Sequence, residues 1–257
     1  MPPALAVVRC VCLVLLLLTA IAQPCRAERA EDLGAALAKT DKLEDEGQLQ
    51  AALALLQELE RSHPDHAGVL WRLSKAYADM VDVSSEKRQP PLASQALAYA
   101  QRAIAKGPND AHAHLALSIA YGKMADFVDN RTKMEYSKHV KSEAERAIQL
   151  DPRLADAYEV LARWNFEMAT LNPILAGIAQ LLYGQLPPAS TEQAFDYFRK
   201  AIALAPHNVG YYAEYALALE KSGRVQEAKA QWRKVLQIPP SDDEDRRYQR
   251  EAAKRLR

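Results

Sequence analysis

Histidine and carboxylate side chains are the residues of this chain best suited to catalysis or metal binding. The histidines include two close pairs, His63 with His66 and His112 with His114. His112 and His114 are two residues apart on a predicted helix, and this spacing points them to different faces. Carboxylates are plentiful, as in the acidic run at 44–46, but they alternate with basic residues as on a solvated helix surface. Neither set predicts a reactive centre.

No sequence motif of a catalytic or cofactor-binding type accompanies these residues. The chain contains no His-Glu-x-x-His motif, no phosphate-binding glycine loop and no Gly-x-Ser-x-Gly motif. All three cysteines, Cys10, Cys12 and Cys25, lie near the N-terminus, so the chain beyond them cannot form an internal disulfide or a thiolate zinc site. We therefore predict a protein that is not an enzyme and that uses no metal and no cofactor.

The composition favours an all-helical protein. Ala, Leu, Lys, Arg, Glu and Gln dominate, only nine residues are glycine, and no alternating run of Val, Ile or Thr predicts a strand. Lys and Arg together number 33, as do Asp and Glu, so the formal net charge is zero. This balance gives no indication of a nucleic-acid partner.

The N-terminal segment has the features of a secretory signal. Arg9 precedes an uninterrupted apolar run from Val11 to Ala22, and small residues follow it. We predict a signal peptide at 1–27, with cleavage after Ala27, and a secreted or periplasmic protein. The alternative is that the leader is not cleaved and anchors the chain to a membrane, although the run is shorter than the ~20 residues that span a bilayer.

Prolines at the ends of predicted second helices indicate a repeat. Aligning the chain on them predicts tetratricopeptide repeats at 33–66, 67–110, 111–154, 155–208 and 209–242, followed by a cap helix at 243–257. The five aligned prolines are Pro64, Pro108, Pro152, Pro206 and Pro240. The predicted fold is an all-α solenoid of about five helix pairs with long corner insertions and a C-terminal capping helix.

Residues inside this frame support it. Small residues are expected where the second helix approaches the first, and Val140 is the one departure from that rule. Gly47 and Gly223 fall at the tight corners of the two short repeats, where a positive φ is expected. The small residues at the helix contact are Ala52, Ala96, Ala194 and Ala228.

The three middle repeats exceed the ~34-residue period, and the excess lies at the corner between their two helices. In the second repeat the extra residues are 84–92, with Pro90 and Pro91 opening the next helix. In the third, we predict a loop at 127–132 and a helix at 133–150. In the fourth, Pro173 to Tyr183 is apolar nearly all round, which predicts a short helix that is covered by the rest of the fold.

The first helices of such repeats line a concave groove, so their inward positions are the candidate partner-binding residues. Lys75, Lys123 and Arg163 could converge on a carboxylate, but Asp79 and Glu159 beside them would partly neutralise their charge. Trp71 is equally compatible with groove and core, whereas Trp164 and Trp232 are predicted to lie in the core. The candidate groove residues are Trp71, Lys75, His112, Ile119, Lys123, Arg163 and Phe166.

The chain resembles the tetratricopeptide domain of the regulator of microtubule dynamics proteins. The most specific part of the resemblance is the corner helix and the Gly-x-x-Pro-Pro motif after it. The residues that carry it are Trp71–Leu73, Leu161–Trp164, Leu171, Leu182, Gly184, Pro187, Pro188, Ser190–Ala194 and Trp232. The resemblance implies a non-enzymatic helical adaptor, which in eukaryotes is associated with microtubules and organelle membranes. We take from it the fold and the adaptor class only, since an export leader would separate the chain from tubulin.

Two hypotheses about function follow. The first is an exported adaptor that binds a peptide or protein in its concave groove, because stacked helix pairs present a preformed surface. The alternative is a lipid or amphiphile carrier, in which the corner helix and the groove enclose an apolar chain. The corner-helix residues that would line it are Leu175, Ile178, Leu181 and Leu182, together with Leu186 after the helix. Apart from such a ligand, membrane association is expected only through an uncleaved leader.

Overall fold

The described chain consists of helices joined by turns and by corners of different lengths. The structure is a computed structural model that describes residues 32–257, so the predicted signal peptide lies outside the described residues. No strand occurs between residues 32 and 257, and the predicted all-α class is confirmed. The helices are α1 (32–45), α2 (Leu49–Ser62), α3 (Ala67–Asp82), α4 (Gln89–Lys106), α5 (Ala111–Met124), α6 (Asn130–Leu150), α7 (Ala155–Ala169), α8 (Pro173–Tyr183), α9 (Thr191–Leu204), α10 (Val209–Lys221), α11 (Val225–Gln237) and α12 (Asp243–Arg255), with 3₁₀ turns at Glu86–Arg88 and Ala125–Phe127.

The helix boundaries follow the local chemistry of the sequence. Helices α2, α4, α6 and α9 each end two residues before one of the aligned prolines, because the residue before a proline is disfavoured in the α region. At the other ends, short polar side chains accept hydrogen bonds from the first backbone N–H groups. Asp110 caps α5, Asp129 caps α6, Ser190 caps α9 and Asn208 caps α10.

The helices pack as antiparallel pairs, α3 with α4, α5 with α6, α7 with α9, and α10 with α11. The small residues predicted at the contacts, Ala52, Ala96, Ala194 and Ala228, are all fully buried, and Val140 is also buried. Alanine at these positions lets the two helix backbones approach closely. Gly47 and Gly223 have φ of 72° and 76°, as the tight corners of the two short repeats were predicted to require.

Two of the predicted long corners have the expected form, with one change of boundary. Pro90 and Pro91 lie in the first turn of α4, as predicted. The loop predicted at 127–132 is too long, because Asp129 accepts hydrogen bonds from the N–H groups of Arg131 and Thr132 and starts α6 at Asn130. This side-chain cap lengthens the helix by three residues relative to the prediction.

The corner helix α8 has the predicted bounds, Pro173–Tyr183, but not the predicted environment. Its large apolar side chains Ile174, Leu181 and Leu182 are 74%, 86% and 63% exposed. The prediction that this helix is covered was therefore wrong. The apolar side chains of α8 therefore belong to a surface that protrudes from the solenoid, and they do not pack into its core.

The C-terminal helix α12 closes the last repeat. Tyr248, Ala252 and Leu256 pack in a cluster that contains Val209 and Trp232. Trp232 is fully buried, as predicted, and its indole N–H donates to Oε1 of Glu220 at 2.8 Å. The solenoid therefore ends in a polar helix whose inner face covers the last pair, as a cap is required to do.

Candidate partner-binding site

A large recess lies on the concave side of the solenoid, and we call it the central recess. Its wall is formed by α3, α5, α7 and α10, and its ends by the corner between α1 and α2 and by the start of α12. Its volume is about 1240 Å³. The two ends of the solenoid meet at its rim, because a Cβ atom built on Gly47 would lie 3.3 Å from Cβ of Asp242. The stack of helix pairs is thus curved enough to bring its first corner against its last helix.

Lys75 is the best-anchored cation of the recess wall. Its ammonium lies 2.8 Å from Oε2 of Glu44 on α1 and 2.8 Å from Oδ2 of Asp79 one turn further along α3. Burial by itself would lower the pKa of Lys75, but the charges of Asp79 and Glu44 outweigh this effect and raise it. The side chain of Glu44 is only 7% exposed, and burial raises its pKa although Lys75 acts to lower it. Lys75 therefore joins α3 to α1 and is not free to pair with a ligand carboxylate.

Lys123 and Arg163 continue the line of cations along the wall. Lys123 on α5 binds both carboxylate oxygens of Asp82 on α3, at 2.5 and 2.6 Å. Arg163 is half-exposed and lies 3.7 Å from Glu159, one turn before it on α7. That carboxylate raises the pKa of the Arg163 guanidinium further. Of the three predicted cations, Arg163 is the one whose charge faces the recess with the weakest internal pairing.

Glu159 is the most strongly perturbed carboxyl group of the site. Its side chain is 15% exposed, and burial raises its pKa from 4.5 to about 7, while the nearby Arg163 acts in the opposite direction. The 3.7 Å separation from Arg163 is too long for a hydrogen bond. The neutral form of Glu159 is therefore favoured well above the ordinary range for a carboxyl group.

Polar contacts connect successive first helices on the concave side. Arg72 on α3 donates to both carboxylate oxygens of Asp41 on α1, at 2.6 and 2.7 Å. On the C-terminal side, the hydroxyl of Tyr211 on α10 donates to Asp156 on α7, and the hydroxyl of Tyr248 on α12 donates to Glu214 on α10 at 2.9 Å. Within the part of the chain that the structure describes, no such bond joins α5 to α7.

A second cavity lies between α5 and α7, and we call it the corner pocket. It has a volume of about 830 Å³ and lies between α5, α6 and α7, with one side formed by α8. Its apolar lining includes Met134 and Trp164, and Ile178 and Leu182 of α8 complete it. The Trp164 ring is largely buried, and its N–H donates to the backbone oxygen of Ser137 at 2.8 Å. The prediction that Trp164 is a core residue is confirmed, although one edge of the ring reaches the pocket.

The predicted site residues therefore fall in three places. Lys75, Lys123 and Arg163 line the central recess, and Lys123, Arg163 and Ile119 line the corner pocket. Trp71 is half-buried and stacks on the exposed His112 between α3 and α5. Phe166 was placed in the groove incorrectly, because it is 5% exposed and packs in the core against Phe195.

The four corner-helix residues are also divided. Ile178 and Leu182 line the corner pocket, whereas Leu181 is 86% exposed. Leu175 lies on α8, but its side chain is outside the described part of the structure. Sequence reasoning missed the pocket residues Met134 and Met168, which come from α6 and from the end of α7. In the sequence, only the positions of these two methionines beside the long corners indicated a role in a pocket.

The histidines do not converge. His114 is buried, with Nδ1 2.6 Å from Oε2 of Glu143 and Nε2 3.0 Å from the backbone oxygen of Pro108, so it connects α5 with α6 and with the preceding corner. Among residues 32–257, no group of three or more His, Cys, Asp or Glu side chains could hold a metal ion. None of the helices described there is long and apolar enough to cross a bilayer.

The charge of the central recess decides which ligands suit it. Ten acidic side chains line it, against five from Lys and Arg, and Lys75 and Lys123 are already paired. A clamp for a terminal carboxylate needs several unpaired cations that converge. The recess therefore does not have the electrostatics of a carboxylate clamp.

Comparison with known proteins agrees with this architecture. The family model described as Regulator of microtubule dynamics protein 1-3 matches residues 36–257. Regulator of microtubule dynamics protein 1 of Bos taurus is 29% identical over 237 residues, covering 90% of this chain and 73% of the relative. The Mus musculus protein of the same name is 29% identical over 226 residues, covering 86% and 72%. Among solved structures, a thermophilic tetratricopeptide repeat protein of Thermus thermophilus superposes with a TM-score of 0.64 at 20% identity, covering 87% of this chain and 98% of that one.

Proposed function

Because this chain belongs to the family of regulator of microtubule dynamics proteins 1-3, we propose that it is an exported, non-enzymatic adaptor that binds a peptide or protein in its central recess. The adaptor class follows from the tetratricopeptide solenoid, which presents a preformed concave surface. The names of the relatives refer to microtubules, but an exported chain would be separated from tubulin. The proposal therefore takes the class of partner, a protein, and leaves the cytoskeletal partner aside.

The observation that carries the proposal is the central recess, whose wall is built from side chains fixed on helices. The ion pairs of Lys75 and Lys123 hold these side chains in place before any partner arrives. Binding to such a wall loses little conformational entropy on the side of the adaptor. The recess also has a half-exposed cation, Arg163, within an acidic lining. This arrangement favours a partner segment that places an acidic side chain at Arg163 and basic side chains around it, and a glutamate at position 163 would repel that acidic side chain.

Export rests on the leader at 1–27. N-terminal sequencing of the protein recovered from the culture medium or the periplasmic fraction tests it. A mature chain that begins near residue 28 is the expected result. A chain recovered only from cells, with Met1 or Pro2 at its N-terminus, would contradict export.

Affinity capture with recess variants tests the adaptor function. The variant Lys123→Glu/Arg163→Glu reverses two charges of the recess wall. The matched control, Arg233→Glu/Lys234→Glu, reverses two exposed charges on α11 that line neither cavity. A true partner, identified by mass spectrometry and purified, should bind the wild type and the control alike and the recess variant at least tenfold more weakly by calorimetry. Equal binding to all three would place the partner outside the recess.

The corner pocket favours a second candidate function, an amphiphile carrier. Its volume of about 830 Å³ lies within the ~300–1,000 Å³ range of small-ligand sites. Its lining combines apolar residues with three cationic and four acidic side chains. Native mass spectrometry of protein purified from cells should then show a bound amphiphile that the variant Ile178→Asp/Leu182→Asp lacks. Wild-type protein without any bound amphiphile would count against the carrier.

A further inference from the structure

The exposed apolar surface of this protein is concentrated in one short segment. Eight large hydrophobic residues of the described chain are exposed, and five of them lie between residues 171 and 182. The other three are isolated at Val83, Val225 and Leu236. Single exposed apolar side chains are ordinary, whereas a contiguous apolar patch marks an interaction site. The five residues are Leu171, Ile174, Ile178, Leu181 and Leu182.

The spacing of these residues places them on one side of α8. Ile174, Ile178, Leu181 and Leu182 follow the pattern i, i+4, i+7, i+8, which covers a face about 100° wide on an α-helix. The opposite side carries Ala176 and Gln180, with Ala179 beside them. The eleven residues of α8 give a rod roughly 16 Å long. We call this face the α8 stripe. Ile178 and Leu182 form its edge towards the corner pocket, and Ile174 and Leu181 form its outer edge.

The chemistry of the segment indicates what covers the α8 stripe. From Met168 to Thr191 the chain contains no Asp, Glu, Lys, Arg or His, although 26% of all its residues are charged. A protein groove that accepts a helix sets its register with polar contacts at the rim, and this segment offers no charged group for that purpose. An uncharged apolar face can enter the interface of a lipid bilayer without desolvating any charge.

The neighbouring helix α6 supplies the positive charge that anionic lipids attract. The ammonium of Lys141 lies 3.4 Å from the backbone oxygen of Pro188, so this helix runs beside the segment that follows α8. Lys133 lines the corner pocket together with Ile178 and Leu182. Lys133 pairs with Asp126 and Lys138 with Glu135, at side-chain exposures between 39% and 71%. Lys141 is 23% exposed and lies 3.9 Å from Glu145. Exposed pairs of this kind are weak, so the cations can turn towards lipid phosphates.

From these observations we infer that α8 docks the protein peripherally on an anionic lipid surface, with the α8 stripe in the interface and the lysines of α6 at the headgroups. This inference goes beyond the adaptor function, because contact through α8 does not require the central recess to be occupied. It also differs from anchoring by the leader, since it uses a segment within the repeats.

Vesicle flotation tests this inference. Every version of the full chain carries Leu15→Arg and Leu17→Arg, so that the N-terminal apolar run cannot enter a bilayer. Vesicles of phosphatidylcholine alone are compared with vesicles of phosphatidylcholine and phosphatidylserine. The test variant is Ile174→Asp/Leu181→Asp, and the matched control is Val83→Asp/Val225→Asp, which puts the same charges at exposed apolar positions elsewhere. Thermal melting followed by circular dichroism checks that each version is folded.

The parent chain should float with the phosphatidylserine vesicles and less with phosphatidylcholine alone. The bound fraction should fall at least tenfold in Ile174→Asp/Leu181→Asp and remain unchanged in the control. The inference is overturned if the parent chain floats with neither vesicle, or if the control loses binding as completely as the test variant. It is also overturned if light scattering shows a parent dimer that the test variant converts to a monomer while neither binds vesicles, because the stripe would then be a contact between two copies.

Discussion

The indole ring of Trp71 on α3 stacks on the imidazole ring of His112 on α5, with 4.8 Å between the ring centroids and 14° between the planes. The guanidinium of Arg72 lies 4.0 Å from the centroid of the Trp71 ring, and Asp41 holds that guanidinium from α1. These contacts connect three consecutive first helices of the solenoid. Trp71 therefore contributes to the contact between repeats on the same side where a partner would bind.

We expect Trp71→Ala to lower the free energy of unfolding by about 2 kcal/mol, less than for a fully buried aromatic residue. His112→Ala removes the exposed partner of the stack and should cost well under half as much. Urea denaturation followed by circular dichroism measures both. If Trp71→Ala unfolds at the same urea concentration as the wild type but loses a recess partner, Trp71 is a ligand contact and not a packing residue.

Burial of Glu159 predicts a pH dependence of stability. Because its pKa is raised to about 7 in the folded chain from 4.5, the folded state binds more protons than the unfolded state between these values. Its contribution to stability is therefore fully present below pH 4.5 and is lost as the pH rises through about 7. Over this pH range the free energy of unfolding of the wild type should fall by roughly 1–3 kcal/mol. The Glu159→Gln variant should not show this fall.

The measurement is the urea midpoint at a series of pH values that spans the ordinary and the raised pKa of Glu159. Glu227→Gln is the control, because Glu227 is exposed and its pKa is lowered by the hydrogen bond from Arg224. The control should retain the decline of the wild type as the pH rises towards neutrality. A Glu159→Gln protein with the same pH profile as the wild type would show that this carboxyl is solvated in solution.

Removing Lys75 alone should destabilise the protein, whereas removing Lys75 and Glu44 together should cost little stability. Lys75→Ala leaves the buried Glu44 carboxylate with no cation, and we expect a loss of about 2 kcal/mol. Adding Glu44→Leu to Lys75→Ala should recover most of it, because no uncompensated charge is then buried. A double-mutant cycle from chemical denaturation measures the coupling, and additive losses would contradict this account.

The corner glycines give a test of backbone strain. Gly223 has φ of 76° and no atom within 4 Å of an added Cβ, so Gly223→Ala should destabilise only through the left-handed conformation, by about 1 kcal/mol. Gly34 also has open space around it but lies within α1, where alanine is the better helix former. Gly34→Ala should raise stability by roughly 0.5 kcal/mol. Differential scanning calorimetry should therefore show opposite shifts in melting temperature.

Cysteines can report the contact between the two ends of the solenoid. The 3.3 Å approach of an added Gly47 Cβ to Cβ of Asp242 is close to the ~3.5–4.5 Å span of a disulfide. A chain begun at residue 28 contains no native cysteine, and its Gly47→Cys/Asp242→Cys variant should form an intrachain disulfide in air. Faster migration on a non-reducing gel, reversed by reductant, is the readout. Persistence of two free thiols would show that the ends stay apart.

The sequence was sufficient to predict the parts of this fold that depend on neighbouring residues. Ala96 and Ala228 are buried because a helix pair needs a small residue at its closest approach, and Gly47 has a positive φ because its corner is short. These effects act within one or two turns of helix. Periodicity and turn chemistry therefore predict them.

Other features depend on distances that no local pattern records. The apolar residues of α8 indicated burial, but composition cannot distinguish an apolar helix that is covered from one that protrudes. Phe166 was assigned to the groove from its repeat position, but it packs against Phe195 of α9 in the core. Gly47 meets Asp242 because the small rotations between successive repeats add up along the solenoid. No local sequence pattern specifies that total rotation.

The contact between Gly47 and Asp242 also limits how this chain can change in length. An open stack tolerates the gain or loss of a whole unit, since each unit contacts only its neighbours. Here one unit more would drive α12 past the first corner, and one fewer would leave a gap in the circumference. Extra residues are tolerated where they do not alter the angle between units, which is the position of the helix α8 and the turns at Glu86–Arg88 and Ala125–Phe127. In a solenoid whose first corner contacts its last helix, new functions would therefore arise at the outer corners, while the number of repeats stays constant.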